Sequence, residues 1–110
     1  EKEKKEEDPF MRRLVNIFKE KKIEIIEHNI IRKNSEIDLI LKIPSVIGSL
    51  EYYCKSKNKK SINDSDLSSA VIQGQLKKLP VLFFSTGELS KKAKDLLETE
   101  FKKGLVIKRL

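Results

Sequence analysis

The 110-residue chain has one cysteine, one histidine, no tryptophan, three prolines and four glycines. A lone Cys54 excludes an internal disulfide framework, and Cys54 with the single His28 is too small a set for a structural zinc site, which takes four ligands. So little cysteine fits a reducing, intracellular setting, cytoplasmic by default. Apolar runs are short. Val81-Leu82-Phe83-Phe84 falls far below the roughly 20 residues of a membrane-spanning helix, so no membrane is expected among the partners. The first eight residues, EKEKKEED, are all charged, which leaves no apolar signal-peptide centre there. At this length one continuous core can form, whereas two would each be too small to offset chain entropy.

Charge is what the chain has in abundance: 24 Lys and Arg against 17 Asp and Glu, a net +7. Residues 1–8 hold three Lys against five acids, a balance of −2, so the other 102 residues carry +9. A basic domain suits a polyanionic partner, nucleic acid being the commonest, and suits a Lys-rich solvated surface equally well. Residues 1–9 are expected to be a charged tail or the end of an upstream helix, with a single domain over 10–110. A start on Glu rather than Met fits a domain cut from a longer protein.

Asp8-Pro9 forms a helix start, Asp as cap and Pro at the first helical position. Phe10, Leu14, Ile17 and Phe18 then recur at helical spacing as far as Lys21-Lys22. Ile23, Ile25, Ile26, Ile30 and Ile31 mark a strand, and Arg32-Lys33-Asn34-Ser35 a polar turn. From Glu36 to Ile43 residues alternate, with Ile37, Leu39 and Leu41 on one face and Asp38, Ile40 and Lys42 on the other. Pro44-Ser45 ends that strand, and Gly48 opens a third through Ser56. Asn63-Asp64-Ser65 caps a helix to Leu79, Pro80 stops it, and Val81–Ser85 is a strand buried on both faces. Ser90 caps a further helix with Ala93, Leu96, Leu97 and Phe101 on one stripe; Gly104 ends it, and Leu105-Val106-Ile107 is a last strand. The order αβββαβαβ predicts an α/β fold of three layers, a mixed central sheet flanked by helices.

Glu36-Ile37-Asp38 on the second strand, Tyr53-Cys54-Lys55-Ser56-Lys57 on the Gly48-led third, and the following helix with Gln73 and Gln75 resemble the PD-(D/E)xK nuclease superfamily. The similarity is to its restriction-endonuclease-like and archaeal Holliday-junction-resolvase-like domains. That resemblance implies carboxylates projecting from adjacent strands onto Mg²⁺ or Mn²⁺, and a Lys that steadies the attacking hydroxide or the phosphorane charge. It assigns Asp38 to the aspartate position and Lys55 to the lysine position. Two residues before that lysine, on the same strand face, the family carries an acid, and here the residue is Tyr53. The motif is therefore degenerate. Glu51, two residues further back, is the substitute metal ligand to Asp38 in an active form, displaced by nearly 7 Å at about 3.3 Å per residue unless a bulge shortens the gap. Glu20, Glu24 and Glu27 are other candidates to complete such a site.

Gln73 matches the helix glutamine that follows the lysine in resolvase-like families and is the fourth catalytic candidate beside Asp38, Glu51 and Lys55; polar helix surface is the plainer role for both glutamines. Tyr52 or Tyr53 is placed either to stack on a base or to pack in the sheet. His28 and Cys54 have no partner at catalytic spacing, and Ser85-Thr86-Gly87 is too short for a phosphate loop. Arg32, Lys33, Lys55, Lys57, Lys59 and Lys60 form the expected nucleic-acid-binding set, a basic run leaving the third strand.

Three functions follow. The first is a catalytically degenerate nuclease-fold domain that binds or positions nucleic acid, DNA ahead of RNA, with no cofactor. The second is an active Mg²⁺- or Mn²⁺-dependent DNA endonuclease using Asp38, Glu51 and Lys55. The third is a non-catalytic interaction or oligomerisation module, forming a homodimer or meeting another partner through the N-terminal helix.

Overall fold

The structure is a computed structural model that describes residues 8–100 and 105–110; residues 1–7 of the tail expected over 1–9, and the expected helix residues Phe101 and Gly104, lie outside the described residues, while Asp8 and Pro9 begin the first helix. Helix α1 (Pro9–Glu20) is followed by β1 (Glu24–Arg32), β2 (Glu36–Ser45), β3 (Gly48–Lys57), β4 (Ser61–Ile62), α2 (Asp64–Lys77), β5 (Val81–Ser85), β6 (Glu88–Leu89), α3 (Lys91–Thr99) and β7 (Leu105–Arg109). The expected order stands, with β4 and β6 added. Each of these holds two residues, too few to show periodicity, and they exist because the segments leaving β3 and β5 pair in parallel.

Five strands form one mixed sheet in the order β1-β2-β3-β5-β7. β1, β2 and β3 are an antiparallel meander, and β3, β5 and β7 run parallel. Period-2 alternation divides the core in two. Ile37, Leu39, Leu41, Cys54, Leu82 and Phe84 meet Phe10, Leu14 and Phe18 of α1 on one face. Tyr53, Val81, Phe83 and Leu105 meet Leu67 and Ala70 of α2 and Ala93 of α3 on the other. All five residues of β5 are buried, as a strand covered on both faces requires.

Local chemistry sets the element ends. Asp8 accepts from the backbone N–H of Phe10 at 2.8 Å and Met11 at 3.2 Å, and its other oxygen accepts from Asn34 N–H in the β1–β2 turn, so one carboxylate caps α1 and pins it to the sheet. At the start of α2, Asn63 and Asp66 cap each other's backbone reciprocally. Gly74 lets α2 approach β5, since a Cβ there would overlap Val81. Ile26 and Ile31, expected as regular strand residues, sit at two register shifts in β1 and are exposed, the bulge having turned them from the core. Among the described residues no helix is long and apolar enough to cross a membrane.

Candidate functional site

The strand register assembles the site on the face that α2 and α3 cover. Asp38 of β2 is directly opposite Lys55 of β3, and Glu36 is opposite Lys57. Glu36 and Asp38 are two residues apart and share a face, as do Tyr53, Lys55 and Lys57. Lys55 is 6% exposed, and its Nζ lies 2.6 Å from Asp38 Oδ1 and 2.5 Å from Glu36 Oε2. A single ammonium thus stands between two carboxylates. Lys57 Nζ continues the chain of charges, 3.5 Å from Glu36 and 2.9 Å from Asp66, and Lys59 Nζ is 2.8 Å from the second Asp66 oxygen. Three acids and three lysines alternate from Asp38 to Lys59.

Opposite charges beside Glu36, Lys55 and Asp66 favour their ionised forms. Burial alone would raise the Glu36 carboxyl, but hydrogen bonding and the charges of Lys55 and Lys57 outweigh it and hold the group below its ordinary range. Burial would lower the Lys55 ammonium, and Asp38 and Glu36 together keep it above its ordinary value. Asp66 is likewise held low, burial being outweighed by Lys59, the Asn63 backbone and Lys57.

Tyr53 occupies the position two before Lys55. Its ring is fully buried, its hydroxyl donates to Asp38 Oδ1 at 3.1 Å, and the Lys77 ammonium stands 5.7 Å from its ring centroid. Burial, then the Asp38 charge, raises its phenol well above the ordinary value, so the group is a neutral donor at any ordinary pH. Asp38 and Tyr53 also line a cleft of about 150 Å³ with Glu27, Asn29 and Lys77.

Glu51 is not brought to this cluster. It is exposed and opposite Lys42, four residues along β2 from Asp38, about 13 Å at 3.3 Å per residue. Gln73 is half-buried on α2 and Gln75 exposed, and neither has a hydrogen bond to the cluster. Glu20, Glu24 and Glu27 are exposed. His28 is exposed on β1; Cys54 is fully buried on the α1 face, its thiol pushed up to about 12 by burial. Of the expected nucleic-acid-binding set, Lys55, Lys57 and Lys59 are engaged by carboxylates, while Arg32, Lys33 and Lys60 are exposed. Glu36 and Asp66 are the site residues missed in the sequence. Glu36 was visible as the i−2 neighbour of Asp38 on an alternating strand; Asp66, from a helix 28 positions further on than Asp38, left no local signal.

A divalent cation needs several oxygen ligands converging within 2.0–2.6 Å of one point. The point between Asp38 and Glu36 is filled by the Lys55 ammonium, a third carboxylate does not reach it, and Tyr53 offers a proton where a ligand oxygen belongs. Among the described residues no group of three or more His, Cys, Asp or Glu side chains is arranged to hold a metal ion. This donor set does not fit Mg²⁺ or Mn²⁺.

The fold is restriction-endonuclease-like. The chain is similar to a solved structure of the MspJI restriction endonuclease in complex with a 27-mer oligonucleotide, with a TM-score of 0.51 and 12% identity over 89% of this chain. It spans 24% of that protein's chain, about a quarter of its length. No family model matches the chain, and no curated protein sequence matches it.

Proposed function

We propose that this domain holds nucleic acid, DNA ahead of RNA, without cutting it. The observation that carries the proposal is the pairing of Asp38 with Lys55 and Tyr53: the motif position that calls for an acid holds a neutral phenol, and the cluster's positive charge comes from a lysine. Phosphodiester hydrolysis in the PD-(D/E)xK manner needs open carboxylate oxygens and a hydroxide source, and here Asp38 Oδ1 and both Glu36 oxygens face ammonium groups. The MspJI structure contains an oligonucleotide, and a likeness of fold makes a nucleic-acid backbone the first partner to test. The basic balance of the domain, +9 over residues 9–110, supplies the long-range attraction.

One observation favours a second function, a metal-dependent endonuclease. Glu36, Asp38 and Lys55 lie together, so displacement of the ammonium would leave two carboxylates facing each other. Strand scission with Mn²⁺ that is lost in Asp38→Ala would identify it. Fluorescence anisotropy against labelled duplex DNA and RNA at 50 and 200 mM salt tests the main proposal. Binding that weakens steeply with salt is expected, because phosphate contacts release counterions. No binding at 50 mM salt overturns it, and binding only to a protein partner, unchanged by salt, replaces it with an interaction module.

A further inference from the structure

The strand register lines up a row of residues across one end of the sheet: Arg32 of β1 opposite Glu36, Glu36 opposite Lys57, Lys57 opposite Ser85, and Ser85 opposite Arg109 of β7. All three parallel strands finish here, so this is the carboxyl edge of the parallel part, where open α/β sheets place their ligands. Just outside the row, the segments leaving β3 and β5 enclose a groove of about 460 Å³ whose walls include Asn58, Lys60, Thr86, Gly87, Glu88 and Arg109.

The groove is built rather than frayed. Thr86 N–H bonds Lys57 O at 3.2 Å and Glu88 N–H bonds Lys60 O at 3.1 Å, tying the two walls together. Gly87 lies against the Lys59 and Lys60 backbone with no room for a Cβ, and its N–H and C=O both engage the Ser85 hydroxyl. The Thr86 hydroxyl donates to Asn58 Oδ1 at 2.9 Å, and Asn58 Nδ2 donates to Asn34 O at 2.8 Å, which joins the groove to the β1–β2 turn.

Glu36 and Lys57 of this row, and Lys59 in the groove wall, belong to the ion-paired cluster; the other cations of the edge do not. Among the described residues Lys60, Arg32 and Lys33 form no ion pair, and Arg109 meets Glu88 at 3.6 Å with 58% and 75% of the two side chains exposed, a pairing worth little in water. Glu88 is the one acid among the described residues that line the groove, and an anion that takes Arg109 has this weak pair to displace. Five strands at about 4.8 Å make the edge roughly 19 Å long, comparable with five to six nucleotide steps at about 3.4 Å.

We infer that the carboxyl edge seats the phosphate backbone of a nucleic acid, with Lys60 and Arg109 as its cationic contacts and Arg32 and Lys33 extending the track. The inference rests on the proposed nucleic-acid binding, and the cationic contacts it names lie outside the ion-paired cluster, which meets this edge at Glu36, Lys57 and Lys59.

The test compares wild type, Lys60→Ala/Arg109→Ala, and Lys91→Ala/Lys92→Ala, the last removing the same charge from exposed positions at the start of α3. Each is titrated against a labelled DNA duplex across a salt series, with circular dichroism as a fold control. The edge variant is expected to bind about tenfold more weakly at low salt, with a salt slope shallower by about 0.9 for each phosphate that the protein no longer neutralises. The α3 variant is expected to follow wild type. Wild-type binding with the edge variant unchanged, or with both variants equally weakened, overturns the edge while leaving nucleic-acid binding intact. A wild type that does not bind overturns both.

Discussion

The Tyr53 hydroxyl donates to Asp38 Oδ1 at 3.1 Å, and the Lys55 ammonium lies 2.6 Å from the same oxygen. Tyr53→Phe keeps the buried ring and its approach to Lys77 but removes one hydrogen bond to a carboxylate. A loss of about 1.5 kcal/mol is expected, readable by urea unfolding at pH 7. The folded phenol titrates above its ordinary value, so the folded chain keeps a proton that the unfolded chain releases near pH 10. This contribution is full below about pH 10 and shrinks as pH rises past it. Thermal midpoints of the variant should therefore fall less steeply than those of wild type between about pH 9 and 11.

Lys55→Met removes the one group that, among the described residues, touches both Glu36 and Asp38. Breaking a fully buried ion pair costs about 3–5 kcal/mol, and the two carboxylates here keep 21% and 22% of their side-chain surface in water, which brings the expectation to roughly 2–3 kcal/mol. Denaturant unfolding at pH 7 and near pH 4 checks the cause. The deficit should narrow in acid, where the stranded carboxylates take up protons; an equal deficit at both values would trace the loss to packing instead.

Glu36 and Asp66 titrate below their ordinary values in the folded chain. The unfolded chain therefore binds more protons in acid, and the stabilisation, complete above the unfolded carboxylate range near pH 4, is lost as pH falls through the lowered folded values. Midpoints measured from pH 7 down to about pH 2.5 should decline below about pH 4.5. Glu36→Gln should make that decline shallower.

Asp8→Ala removes three hydrogen bonds at once, two that cap α1 and one to Asn34. Asp8 is 3% exposed, so the freed N–H groups are poorly placed to find water. About 2 kcal/mol of destabilisation is expected, at the upper end for a helix cap, and Asp8→Asn should recover part of it. Chemical denaturation of the two variants beside wild type measures both.

The elements legible in the sequence were those with their own periodicity and punctuation. Phe10, Leu14 and Phe18 declared α1, the alternation from Glu36 to Ile43 declared β2, and the apolar run Val81–Phe84 declared the doubly covered β5. Asp38 and Lys55 were expected on adjacent strands, and the register sets them directly opposite each other. What escaped depends on register and tertiary approach. Glu51 belongs with Lys42 because the tight turn between Ser45 and Gly48 fixes the β2–β3 pairing, a detail that composition does not carry. The basic run after β3 read as free charge, yet Lys57 and Lys59 are turned toward Asp66 of α2, whose position exists only once the crossover helix has docked.

The most direct measurement is a single incubation of labelled duplex and branched DNA with the purified protein and Mn²⁺, followed by anisotropy and then by strand length on a denaturing gel. A salt-sensitive rise in anisotropy with every strand at full length is the result expected of a domain that holds DNA while Lys55 and Tyr53 occupy Asp38. Shortened strands that disappear in Asp38→Ala would contradict it.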